Sequence, residues 1–143
     1  MYKTNRNIFG GKVCMREKNK VQNKVHNKVL GNNFEKEMAQ ILKDKGFWVH
    51  LITPARYTGS QPADIIAVKD NKTILIDCKT CSTNLFPLSR VEQNQRLAYK
   101  RFKECGNTEY FLAIKYDEKI YLVPLEVIDF DKKYIDLKNE WIF

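Results

Sequence analysis

No apolar run in the chain approaches the roughly 18 residues needed to cross a bilayer. The start is polar and lysine-rich, without the apolar stretch of a secretory signal. These absences predict a soluble, cytoplasmic protein that does not engage a membrane. Cysteine is scarce: Cys14, Cys78, Cys81 and Cys105 are too few and too irregular for a disulfide framework, so they are expected to be reduced thiols. Cys78 and Cys81 make a C-x-x-C, but no second Cys/His pair stands at ligand spacing and no βαβ pattern surrounds them, which argues against structural zinc and thioredoxin-like chemistry. His26 and His50 lie in a basic segment and a predicted strand, not as a catalytic pair. No small-molecule cofactor is implied.

What is present fits one compact domain: 143 residues, 43% of them hydrophobic. The net charge of +8 is unevenly placed. Residues 1–30 carry Lys3, Arg6, Lys12, Arg16, Lys18, Lys20, Lys24 and Lys28 against Glu17 alone, so the remainder is close to neutral. Within this segment Asn-Lys-Val recurs at 19–21, 23–25 and 27–29. A period of four sets the lysines near one helix face, while low hydrophobicity and high charge favour disorder in isolation. The division expected is a flexible basic arm over 1–30 and a second unit, the globular domain, over 31–143. The arm serves either as a solubilising tail or as a polyelectrolyte that docks on phosphates and releases counterions, with Lys20, Lys24 and Lys28 as contacts.

From Gly31 onward, Asn32 or Asn33 is placed to cap a helix with apolar positions at Phe34, Met38, Ile41 and Leu42 and a stop at Gly46. Phe47–Thr53 reads as a strand, followed by a polar loop from Pro54 to Pro62. Ala63–Val68 and Thr73–Lys79 form a hairpin around Asp70-Asn71-Lys72. After a loop over 80–88, Arg90–Cys105 reads as a helix stopping at Gly106-Asn107. Tyr110–Tyr116 and Lys119–Val123 pair around Asp117-Glu118, and Pro124-Leu125-Glu126 starts a short helix or turn. The order α-β-β-β-α-β-β predicts an α/β fold with a mixed sheet flanked by helices.

Alternation along the second hairpin strand puts Asp77 and Lys79 on one face and Cys78 on the core side. Pairing can bring Asp64 beside Asp77; taken alone, the residues read at least as well as a hairpin cap at Asp64 and a surface ion pair of Asp77 with Lys79. Two adjacent carboxylates repel unless a cation sits between them, and hard oxygen ligands select Mg²⁺, with Mn²⁺ as a substitute. A lysine two residues on can orient a water, assist its deprotonation or stabilise charge on a phosphorus centre. Phosphodiester hydrolysis needs all of these. Lys36, Arg56, Arg90, Arg96, Lys100 and Arg101 are further candidates for phosphate contact.

The segment Pro62-Ala63-Asp64-Ile65-Ile66-Ala67, followed by Asp77-Cys78-Lys79, resembles the PD-(D/E)XK nucleases, whose restriction-endonuclease-like fold carries an acid on a helix ahead of such a hairpin. The resemblance implies that Glu35, Asp64, Asp77 and Lys79 are catalytic, with Glu35, Asp64 and Asp77 as metal ligands. Glu37 points elsewhere on the helix and is the second choice for its acid. Within the superfamily the chain resembles Holliday-junction resolvases of the archaeal and bacterial RecU types. Gly31-Asn32-Asn33-Phe34-Glu35-Lys36-Glu37 and Gly46-Phe47-Trp48-Val49 look like the archaeal opening. Thr58-Gly59-Ser60 is similar to their Ser-bearing loop, which makes Ser60 a phosphate contact. Phe86-Pro87-Leu88 and Glu92-Gln93-Asn94-Gln95 look like the RecU pattern, which implies that Gln95, or failing it Gln93, approaches the metal. Three features depart from those families: a loop before Asp64 too short for a RecU stalk, an extra residue between Pro62 and Asp64, and Asp77 in place of the commoner Glu.

The expectation is therefore a divalent-metal-dependent endonuclease that resolves four-way junctions by paired nicks. A homodimer follows, because symmetric cuts need two identical sites. The alternatives are another nuclease of the superfamily, restriction-type or fork and flap, and a non-catalytic DNA-binding module.

Overall fold

A computed structural model describes residues 12–53 and 61–143, with side chains from residue 22 onward. Arg56, Ser60 and the side chain of Lys20 lie outside the described residues.

The first helix, α1, spans Lys12–Asp44. Its C-terminal half is held by burial, since Phe34, Met38, Ala39 and Leu42 recur at helical spacing and are all buried. Gly46 ends it at φ +85°, with the Gly46 N–H donating to the Lys43 carbonyl at 2.9 Å and the Phe47 N–H to the Leu42 carbonyl at 3.1 Å. That pair of bonds is a Schellman stop, which needs the left-handed conformation glycine adopts readily. The helix does not start at Gly31. Asn32 and Asn33 sit in its middle, and it continues back to Lys12. No proline interrupts residues 12–30, and once the packed half is nucleated each added turn costs only propagation. Residues 22–30 are exposed along this stretch.

The strands follow as β1 (Trp48–Leu51), β2 (Ile65–Lys69), β3 (Lys72–Thr80), β4 (Leu85–Pro87), β5 (Tyr110–Tyr116), β6 (Lys119–Pro124) and β7 (Tyr134–Asp136), with α2 over Gln93–Glu104. The main sheet runs β1-β2-β3-β5-β6, with β3 and β5 parallel and the other neighbours antiparallel. Asp70 and Asn71 both have positive φ, as do Asp117 and Glu118, so both hairpins turn on two left-handed residues that match the strand twist. The expected mixed sheet between helices is present. β2 begins at Ile65, later than expected, and α2 at Gln93, because Leu88–Arg90 forms a 3-10 turn ahead of it. The two-stranded sheet of β4 and β7 was not anticipated.

Alternation along β3 divides the core. Ile76 and Cys78 face α1, with Phe34, Met38, Ile65, Ala67 and Ala113. Leu75 faces the other layer, where Ala98, Tyr99 and Phe102 of α2 cover Tyr110, Leu112 and Ile114. Asp77 and Lys79 share the parity of Leu75 and open beside the start of α2. Among the described residues no helix is long and apolar enough to cross a membrane.

Candidate active site

Asp64 sits just ahead of β2 and is pinned through its main chain. Its N–H donates to the Ile76 carbonyl at 3.0 Å, and its carbonyl accepts from the Ile52 N–H at 2.8 Å. Its Oδ2 accepts the Cys78 N–H at 2.7 Å, and its Oδ1 accepts from Gln61 Nε2 at 3.2 Å. The segment leading to Asp64 is tied down as well: Tyr110 donates its hydroxyl to the Pro62 carbonyl, and Asn94 Nδ2 donates to the Gln61 carbonyl at 3.1 Å. The acid is therefore held by β1, β3, β5 and α2 together.

Asp77 is 1% exposed. Gln95 Nε2 donates to its Oδ1 at 2.5 Å, while Lys79 Nζ lies 2.8 Å from its Oδ2. The second contact is an ion pair, not a directed hydrogen bond, and Oδ2 has no hydrogen-bond donor among the described residues. Burial pushes the Asp77 carboxyl up to about 7, against the pull of the Lys79 ammonium and with the charge of Asp64 adding to the rise. Glu35, on α1, is also raised, by burial first and then by Asp64, with Lys79 opposing. The Cys78 thiol is pushed up by burial and the surrounding acids, which keeps it a neutral core group.

Glu35, Asp64, Asp77, Lys79 and Gln95 line one polar cleft of about 270 Å³. Cys78, Gln61, Glu92 and Asn94 also line it; Gln61 was not singled out from the sequence, and Glu92 and Asn94 stood there only as neighbours of Gln95 in its motif. Their signal there was faint: adjacency to Asp64 for Gln61, and the capping position of α2 for Glu92. Glu92 and Gln95 form a capping box, in which Gln95 Oε1 accepts the Glu92 N–H at 3.0 Å. Both ends of the Gln95 amide are thus engaged, and it meets Asp77 as a donor. Gln93 is exposed and does not line the cleft. Glu37 turns away to pair with Lys115 Nζ at 2.6 Å.

None of the described basic candidates lines the cleft itself. Lys24, Lys28 and Lys36 are exposed on α1, and Arg90 donates to the Thr80 carbonyl at 2.6 Å. Among the described residues no three His, Cys, Asp or Glu side chains converge as a ready-made metal cluster. A cation would instead meet the Asp64–Asp77 pair, with Glu35 on the α1 wall. The residues fit such an ion. The pair are hard oxygen donors whose mutual repulsion a cation relieves; among the described residues Asp77 Oδ2 meets only the Lys79 ammonium and the buried Gln61 Oε1 has no hydrogen-bond partner.

A family profile described as archaeal Holliday junction resolvase (hjc) matches residues 26–140. The chain belongs to this family. Accordingly it is an endodeoxyribonuclease that resolves Holliday junctions, in a family whose nucleases depend on divalent metal. The crossover junction endodeoxyribonuclease Hjc of Methanocaldococcus jannaschii is 27% identical over 106 residues, which cover 73% of this chain and 74% of that protein. The solved structure of Hjc from Archaeoglobus fulgidus, a Holliday junction resolvase from an archaeal hyperthermophile, superposes with a TM-score of 0.58 over 76% of this chain and 87% of the other. At 16% identity that likeness concerns the fold.

Proposed function

We propose that the Glu35, Asp64, Asp77 and Lys79 cleft is the catalytic centre, and that it nicks the phosphodiester backbone of four-way DNA with Mg²⁺, for which Mn²⁺ substitutes. The observation that carries the reading is the Asp64–Asp77 carboxylate pair at a polar cleft, with Lys79 Nζ 2.8 Å from Asp77. Asp64 and Asp77 would hold the cation, and Glu35, which lines the same cleft from α1, would supply a further oxygen. When bound, the ion neutralises phosphate charge and lowers the pKa of a water.

The chain's own groups do the rest. Lys79 orients the attacking water and stabilises charge growing on the phosphate oxygens. Gln95 acts as a positioning residue that keeps Asp77 Oδ1 in place, and Gln61 does the same for Asp64. Gln61 Oε1, which has no partner among the described residues, is an acceptor for a cleft water. Basic residues outside the cleft, namely Lys36 and Arg90, together with Arg56, Ser60, Gln93 and Lys20, supply backbone contacts without base readout.

Paired nicks on opposed strands need two such sites, so the working form proposed is a homodimer acting in the cytoplasm. The test compares a synthetic four-way junction with linear duplex, flap and single strand, with and without Mg²⁺. Mg²⁺-dependent cutting confined to the junction supports the reading. Equal cutting of duplex or flap moves the substrate to another branched or linear DNA.

A further inference from the structure

The cleft is continuous with a second feature. A groove of about 600 Å³ is lined by Asn27, Leu30 and Gly31 of α1 and by Lys79, Thr80, Ser82 and Arg90 from β3 and the loops that follow it. It contains the catalytic lysine, yet its α1 wall belongs to the basic N-terminal segment. Gly31 has no packing duty there among the described residues, because a Cβ at that position would meet none of their atoms within 4 Å. Its missing side chain leaves the groove floor open where the packed half of the helix gives way to the exposed half.

Because α1 runs unbroken from Lys12 to Asp44, its lysines hold a fixed register to Glu35. At about 100° and 1.5 Å per residue, Lys28 and Lys24 lie within about 20° of the Glu35 direction, roughly 10 and 16 Å back along the axis. Lys24 and Lys28 are exposed, and the described residues 22–30 include no acid. A charge placed once per turn on the face that carries the catalytic acid is a track, whereas a disordered tail would scatter it.

We propose that the N-terminal half of α1 is a rigid helical rail that, with this groove, binds the phosphate backbone of the DNA arm leading into the cleft, through Lys24 and Lys28 beyond the open position of Gly31. The proposal rests on the nuclease reading of the cleft and deepens it. What matters is the angle of the lysines to Glu35, not their number.

Rotating the rail without altering its charge tests this. Two alanines inserted between Leu30 and Gly31 turn everything upstream by about 200°, and four turn it by about 40°, close to the original face. Both insertions lie outside the buried positions, so full-length variants are first matched by melting temperature. Binding to a labelled four-way junction is then measured across salt. For two lost phosphate contacts the slope of log affinity against log salt should fall by about 2 in the two-alanine variant, as in Lys24→Ala/Lys28→Ala. The four-alanine variant should keep the wild-type slope. If the two insertions behave alike, whether both lose the contacts or neither does, the rail is overturned. If the unmodified chain neither binds nor nicks the junction, the nuclease reading fails instead.

Discussion

Asp64 Oδ2 accepts a 2.7 Å hydrogen bond from the backbone N–H of Cys78, the residue between Asp77 and Lys79. The main chain of β3 therefore sets the rotamer of the acid that precedes β2, and the register Ile65 to Ile76 that makes the hairpin also makes the carboxylate pair. A one-residue slip would send Asp77 and Lys79 to the α1 face and dismantle the site.

Lengthening that acid should be costly. Asp64→Glu adds a methylene, so the carboxylate cannot keep both the Cys78 N–H and its place beside Asp77. Nicking is expected to fall on the order of 100-fold. Gel-shift affinity for the junction should stay within a few-fold and the melting temperature near that of the unmodified protein. Full nicking by this variant would show that Asp64 does not have to sit where β3 holds it.

Asp77 makes stability depend on pH. Its folded value of about 7 lies above the ordinary 3.8, so between those values the folded chain keeps a proton that the unfolded chain has released. The stabilisation is complete below about pH 4 and is lost as pH rises through about 7. In EDTA, melting at pH 8 should fall about 5 °C or more below melting at pH 5.5. Asp77→Asn should flatten that decline, and a decline of unchanged size would place its cause in another group.

The parts legible in the sequence were those set by neighbours along the chain. Asp64, Asp77 and Lys79 stand on a hairpin whose alternation and turn residues are local, and the stop of α1 at Gly46 depends on one glycine. The pairing of β4 with β7 joins Leu85 to Asp136, two three-residue strands too short for any alternation to register. The upstream reach of α1 was hidden because Asn32 and Asn33 resemble caps, while the packing of Phe34 and Met38 carries the helix past them. Gln61, Glu92 and Asn94 entered the cleft through contacts between α2 and the segment before β2, which no spacing encodes.

Lys79 is the counter-charge of Asp77 and, in the proposed site, also the catalyst. Lys79→Ala should cut nicking at least 1,000-fold, while Mn²⁺ binding, followed by electron paramagnetic resonance, should hold or tighten because Asp77 Oδ2 loses its competing ammonium. Loss of Mn²⁺ binding in this variant would make the lysine part of the ion's support.

Gln95→Leu removes the Asp77 donor and half of the α2 capping box. Nicking should drop 10- to 100-fold, in the range seen when groups supporting metal ligands are lost, and the fold should lose about 1 kcal/mol from the cap. Glu92→Ala separates the two effects: it weakens the cap while leaving the Gln95–Asp77 bond in place, so it should share the stability loss and keep more of the nicking than Gln95→Leu does. Equal nicking losses in both would mean that the cap, and not the bond to Asp77, is what matters.

Tyr110→Phe leaves the Pro62 carbonyl without its phenol donor, at a cost of about 1–3 kcal/mol. Denaturant unfolding should register that loss, and the Mn²⁺ affinity should fall with it as Asp64 loosens. Unchanged metal affinity would separate this anchor from the site.

The most direct test of the carboxylate pair is single-turnover nicking of a four-way junction in Mg²⁺ by the unmodified protein and by Asp77→Asn, with junction binding measured alongside in EDTA. The unmodified protein should nick two opposed strands, and Asp77→Asn should bind within about threefold yet leave the junction uncut. Nicking by Asp77→Asn at the unmodified rate would contradict the account.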